Sequence, residues 1–158
     1  MDDTPVKIAL VSHDRRHRRF LAKTLHSPQA LQLVAEFEGF TALSARTLAT
    51  TADLVVLYLA STDCHRQVPM LDLLCDLSDC MKVILVGECQ NEEHVAALLR
   101  TGAHGYVLNE RADQELPTAI ESVLRGRRFI SMPILDAMAF RFIDRENDTP
   151  SCSDADST

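Results

Sequence analysis

Tyr58 lies near the end of the apolar run Asp53-Leu54-Val55-Val56-Leu57-Tyr58-Leu59, which the polar residues Ser61, Thr62 and Asp63 follow. A run this short, bounded in this way, reads as a fully buried strand of a parallel sheet. The carboxyl ends of such strands are where open α/β sheets hold their chemistry. A phenol there is neither a good phosphoryl acceptor nor a ligand for a hard cation at neutral pH. A second group follows the first apolar run, Lys7–Val11: Ser12, His13 and Asp14, then Arg15, Arg16, Arg18 and Arg19. Magnesium takes the protein's share of its ligands as carboxylate oxygens, and this loop offers one carboxylate among several positive charges. His13, Arg15 and Arg16 offer a mouth for an anionic small ligand beside exposed helix N-termini; the alternative is a solvated helix face.

The remaining composition narrows the class. A chain of 158 residues with 46% hydrophobic content can bury one good core. The net charge of -7, with much of the acid excess near the C-terminus, argues against a dominant nucleic-acid surface within these residues. No apolar stretch has the length of a membrane span, and Met-Asp-Asp-Thr-Pro lacks the regions of a signal peptide, so a cytoplasmic protein with no membrane partner is expected. The five cysteines (Cys64, Cys75, Cys80, Cys89, Cys152) are odd in number and contain no C-x-x-C pair, which fits reduced thiols. None stands at ligand spacing from a histidine, and neither a metal site nor a cofactor is expected.

Periodicity divides the chain into five strand-then-helix units. The strands are Lys7–Val11, Leu31–Phe37, Asp53–Tyr58, Lys82–Val86 and Gly105–Leu108. The first helix is capped by Asp14 and buries Phe20, Leu21 and Leu25; two further helices are expected over Thr41–Thr50 and Val68–Leu77. Asn91 caps a fourth, with Glu92 and Glu93 in its first turn and Gly102 as its stop. A fifth runs from Ala112 to Arg125 with Leu116, Ile120, Val123 and Leu124 inward, closed by Gly126. The result is an α/β fold, a three-layer, doubly wound, parallel five-stranded sheet with helices on both faces. Beyond it, residues 131–143 read as a C-terminal linker helix, and residues 144–158, acidic and containing Pro150, as a disordered linker.

The runs Lys7–Val11 and Asp53–Leu57, and above all Arg100-Thr101-Gly102-Ala103-His104-Gly105-Tyr106-Val107-Leu108, resemble a response-regulator receiver domain of the CheY-like type, most similar to the receivers of LuxR/NarL-type transcription factors. The resemblance covers roughly residues 6–130, within a receiver-like domain expected over residues 1–130, and implies the flavodoxin-like strand order 2-1-3-4-5, with a site at the switch between strands one and three. Carried across by position, the family's acidic pair falls on Ser12 and His13, its phosphoacceptor aspartate on Tyr58, its hydroxyl residue on Gly87 and its lysine on Asn109. Only the signalling aromatic survives, as Tyr106. The resemblance therefore implies a degenerate, atypical receiver without nucleophile, metal or lysine for phosphoryl transfer. With no assembled nucleophile and base, no catalytic residue is expected and the chain is not read as an enzyme.

Tyr58 is expected to be a packing residue under the loops after strands one and four, with Gly87 leaving room beside it and His13 and Asn109 as neutral polar partners. Cys64 and Cys89 fall on neighbouring loops, either as a redox pair or as inert thiols. The expected function is a phosphorylation-independent regulatory and dimerisation domain of a LuxR-type DNA-binding transcriptional regulator, with the helix-turn-helix beyond Thr158. A stand-alone protein-interaction or small-ligand-sensing domain is the alternative. The expected partner is a second copy in a symmetric dimer, paired through Arg15–Leu25 with Ala112–Arg125, or through the latter with Asn91–Thr101.

Overall fold

A computed structural model describes residues 6–12, 15–26, 31–37, 52–59 and 81–148. Along them run β1 (Val6–Val11), α1 (Arg15–His26), β2 (Leu31–Phe37), β3 (Leu54–Leu59), β4 (Lys82–Gly87), α2 (Glu92–Arg100), β5 (Gly105–Leu108), a 3-10 turn (Asn109–Arg111), α3 (Ala112–Leu124), β6 (Phe129–Ile130) and α4 (Met132–Asp148). The helices expected over 41–50 and 68–77, and the cap Asp14, lie outside the described residues.

The strands are parallel and ordered β2-β1-β3-β4-β5-β6. The order 2-1-3-4-5 is present as expected, but the sheet has six strands rather than five. Phe129 and Ile130 add the sixth, tied by Phe129 N–H to the His104 carbonyl at 3.2 Å and Ser131 N–H to the Tyr106 carbonyl at 2.9 Å. Two residues are too few to show a period of two, so this strand has no signature of its own in the chain.

Alternation along each strand divides the core between two layers. Ile8, Leu10, Val56, Tyr58, Val86 and Val107 face one side, where Leu21 of α1 and Leu116, Ile120 and Val123 of α3 cover them. Val11, Leu57, Leu59, Leu85, Tyr106 and Leu108 face the other, under Val95, Leu98 and Leu99 of α2 and Ile134 and Met138 of α4. Each such aliphatic side chain contributes on the order of 1.5–3 kcal/mol by leaving water, which is why β3 is apolar at every position and β4 from Val83 to Val86. Phe20 and Leu124, both expected inward, are exposed. Each stands one residue, about 100°, from the buried Leu21 and Val123, which puts it at the edge of the face its helix turns to the sheet.

Helix boundaries follow their local chemistry. Asn91 Oδ1 accepts from the N–H groups of Glu93 (2.9 Å) and His94 (3.4 Å) at the start of α2. Gly102 ends it at φ 113°, a left-handed conformation that a β-carbon would oppose. At its other end the chain departs from expectation, because α4 continues to Asp148 rather than stopping at residue 143. The polar stretch from Asp144 onward contains good helix formers, and polarity on an exposed helical turn is not disorder. Arg141 also anchors this half of the helix, pairing with Glu92 at 2.9 Å and with Glu93.

Candidate functional site at the carboxyl end of the sheet

Four of the positions singled out from sequence, Ser12, Tyr58, Gly87 and Asn109, stand at or just beyond the carboxyl ends of β1, β3, β4 and β5. His13 lies outside the described residues. Parallel strands pointing the same way bring these positions to one edge, although they are dispersed through the chain.

Tyr58 pairs in register with Val86 and is buried on the α1/α3 side of the sheet. Its hydroxyl donates to Glu88 Oε1 at 2.9 Å. The polar partners expected for it were His13 and Asn109; a carboxylate on the loop just after β4 takes this hydrogen bond, and His13 lies outside the described residues. A buried phenol held in this way fills the strand end with carbon and directs its one polar atom to the rim.

Gly87 serves a different tyrosine from the one expected. It pairs with Leu59 and Leu108, so a β-carbon on it would point to the opposite side of the sheet from Tyr58. That β-carbon would meet the Tyr106 hydroxyl at 2.7 Å and the Tyr106 ring at 3.2 Å. Tyr106 is fully buried, and its hydroxyl donates to the Cys89 carbonyl at 2.7 Å. The glycine thus makes room for an inward Tyr106, which in turn holds the loop after β4.

Around the mouth, Ser12 is buried, and its carbonyl accepts from Arg18 Nη1 at 3.3 Å. Arg18 also stands 3.7 Å from Glu36. Arg15 is exposed. Arg16 lines an open cleft of about 460 Å³ with Phe20, Asn109, Glu110 and Asp113. This cleft brings two carboxylates together with one guanidinium, a balance the run of arginines alone did not reveal. Cys89 lies 3.8 Å from His94 Nδ1, and Cys64 lies outside the described residues. No cluster of three or more metal-binding side chains occurs among the described residues. His13 and His17 are four residues apart in the sequence, and neither side chain is among those described.

Two electrostatic features lie away from this edge. His104 Nδ1 accepts the Val83 N–H at 3.1 Å, which requires that nitrogen to be unprotonated. Burial first, then the nearby Lys82 and Arg128 charges, lowers its pKa from the ordinary 6.5. Glu92 is held below the usual carboxylate range by its own backbone N–H at the start of α2 and then by Arg141.

No protein-family model matches the chain. Over 74 residues it is 31% identical to the oxygen regulatory protein NreC of Staphylococcus aureus (strain bovine RF122 / ET3-1), a match covering 46% of this chain and 34% of that protein. The chain thus spans about a third of the length of the curated relatives it matches. Among solved structures, a two-component response regulator of the LuxR family from Aurantimonas sp. SI85-9A1 superposes at TM-score 0.75 and 22% identity, covering 89% of this chain and 99% of that one. The receiver domain of the stress response regulator RcsB from Escherichia coli does so at 0.67 and 19%, covering 80% and 98%. A structure of two RcsB dimers bound to two parallel DNAs gives 0.70 and 18%, covering 84% and 67%. No helix among the described residues is long and apolar enough to cross a membrane. With its switch point between β1 and β3 and its helices on both faces of the sheet, the chain has the receiver-domain fold of two-component response regulators.

Proposed function

We propose that this chain is a regulatory and self-associating receiver-like domain of a LuxR-type transcriptional regulator, working without phosphorylation at the usual strand end and without catalysis. DNA binding, in this reading, belongs to a separate C-terminal domain. The single observation that carries it is Tyr58, buried at the end of β3 with its hydroxyl on Glu88. Phosphoryl transfer is mostly positioning and charge neutralisation. The phenol supplies no acceptor carboxylate, Ser12 no metal-binding acid, Gly87 no hydroxyl and Asn109 no cation. The likeness to NreC and to LuxR-family regulators supports the regulatory setting, and the RcsB dimers on DNA support the assembly.

The cleft at Arg16 supports a small anionic ligand poorly, because Glu110 and Asp113 offset the guanidinium. Incubation with acetyl phosphate and magnesium, read by intact-protein mass, is expected to leave the chain unmodified. A gain of one phosphoryl group mapping to the loops after β1 or β3 would overturn this reading.

A further inference from the structure

Among the described residues, the most exposed large apolar side chains are on α4. Its inner face is accounted for: Ile134 is buried, Met138 packs against the α2 side of the core, and Arg141 pairs with Glu92 and Glu93. A stripe flanking that face carries Met132, Leu135, Ala139 and Phe142, spaced three, four and three residues apart, with Phe142 at the rim of the cleft between α4 and α2. Met132, Leu135 and Phe142 are 54%, 44% and 64% exposed, and Ile143, beside the stripe, is 52% exposed. At about 100° per residue these positions form one contiguous stripe that runs from the edge of the α2 cleft out to solvent, with Phe140 well to its side. A helix whose apolar sector is wider than the face it docks needs a further cover on its exposed part.

We propose that this outward face of α4 is a self-association seam, on which the same helix of a second copy of this chain packs. The spacing selects the occupant. A three-four-three repeat is the 3.5-residue period with which one helix meets another along a two-helix seam, each side chain entering a gap between four residues of the partner. The other described helices, α1, α2 and α3, turn their buried apolar residues to the sheet. The matching helix is therefore the chain's own, and a two-fold axis sets an identical stripe against it without further design.

Area sets the strength. The exposed parts of these side chains amount to roughly 300–400 Å², larger than scattered surface residues present. That is about half of the roughly 800 Å² per partner in a standard interface. Pairing through α4 is accordingly reversible and concentration-dependent. This inference deepens the self-association part of the proposed function and assigns its surface; the absence of phosphorylation does not depend on it.

The test is sedimentation velocity on the full chain across a concentration series reaching several hundred micromolar, with circular dichroism to confirm folding. Wild type is expected to shift from monomer to dimer. Leu135→Glu with Phe142→Glu, changes at exposed positions, are expected to weaken dimerisation by about tenfold or more. Mixing the Leu135→Glu chain with a Leu135→Lys, Ala139→Lys chain is expected to restore association by opposite charge, which a folding defect could not do. Wild type that stays monomeric throughout overturns the seam. A dimer unaffected by the α4 changes and broken by Leu124→Glu on α3 also overturns it, while leaving self-association itself intact. Binding of monomers to phosphatidylcholine/phosphatidylglycerol vesicles, lost in the α4 variants, reassigns the face to a lipid surface and overturns it too.

Discussion

Two tyrosines on opposite sides of one sheet fill its carboxyl edge. Tyr58 closes the end of β3 toward α1 and α3, and Tyr106 closes the end of β4 from the other side, in space that Gly87 leaves open. Removing the Tyr58 ring should leave a void, so Tyr58→Ala is expected to lower stability by about 3 kcal/mol, whereas Tyr58→Phe, which keeps the ring and loses the hydroxyl with its bond to Glu88, costs about 1 kcal/mol. Urea midpoints of the two variants check the ratio; equal losses would mean that the hydroxyl, not the ring, matters. Tyr58→Asp alone is expected to remain unphosphorylated by acetyl phosphate, and a magnesium-dependent mass gain in it would show that the rest of the site is intact. Gly87→Ala should cost about 1–3 kcal/mol by overpacking against Tyr106. In a Tyr106→Phe background most of that cost should vanish, because the atom 2.7 Å away is gone. Additive losses in the double-mutant cycle would remove the link between the two residues.

Elements are tied at their ends, and these ties set where the molecule loosens. Ser131, buried between β6 and α4, accepts the Leu108 N–H at 2.8 Å and donates to Glu115, which in turn pairs with Arg111 at 3.0 Å. One hydroxyl thus joins β5, α3 and the start of α4. Ser131→Ala strands a buried backbone N–H and is expected to cost about 1–3 kcal/mol; a denaturation midpoint unchanged from wild type would refute that role. His104 ties the start of β5 to β4 through Val83. Because its folded pKa lies below the unfolded value near 6.5, the neutral ring contributes stability that is fully present above that pH. The contribution is lost as the pH falls below about 6.5 toward the folded pKa, where the unfolded chain binds the proton first. Stability is expected to fall across that interval in wild type and less steeply in His104→Gln, measured by thermal or urea midpoints at matched ionic strength. Parallel profiles would exclude His104 as the source.

At the scale of the whole molecule, the placement of α4 matters most. By docking on α2, with Arg141 on Glu92 and Glu93, it covers part of the Asn91–Thr101 surface expected to pair with α3 in a dimer. It then presents an apolar stripe of its own in place of that surface. The ion pairs are exposed and individually weak, so α4 is held mainly by Ile134 and Met138. Ile134→Ala is expected to cost about 2–4 kcal/mol and to loosen α4. Hydrogen exchange should then rise across Met132–Asp148 while β3 and β4 stay protected. Uniform loss of protection through the sheet would instead make α4 part of one cooperative unit with the core.

Sequence alone determined whatever depends on local period and local chemistry. The apolar runs marked β1 to β5, Asn91 and Gly102 marked the ends of α2, and the strand order followed from the resemblance carried by the segment around Tyr106. Three things were decided only in the tertiary structure. The two-residue β6 exists because the edge of β5 offers hydrogen-bonding groups to it, not because Phe129-Ile130 prefers a strand. The partner of Tyr58 is Glu88, and the neighbour of Gly87 is Tyr106, because register and the alternation of side chains across a sheet decide which residues meet. The polar end of α4 is helical because Ile134, Met138 and Arg141 anchor the preceding turns against α2. A period is written in neighbouring residues; a contact between distant ones is settled only when the layers pack.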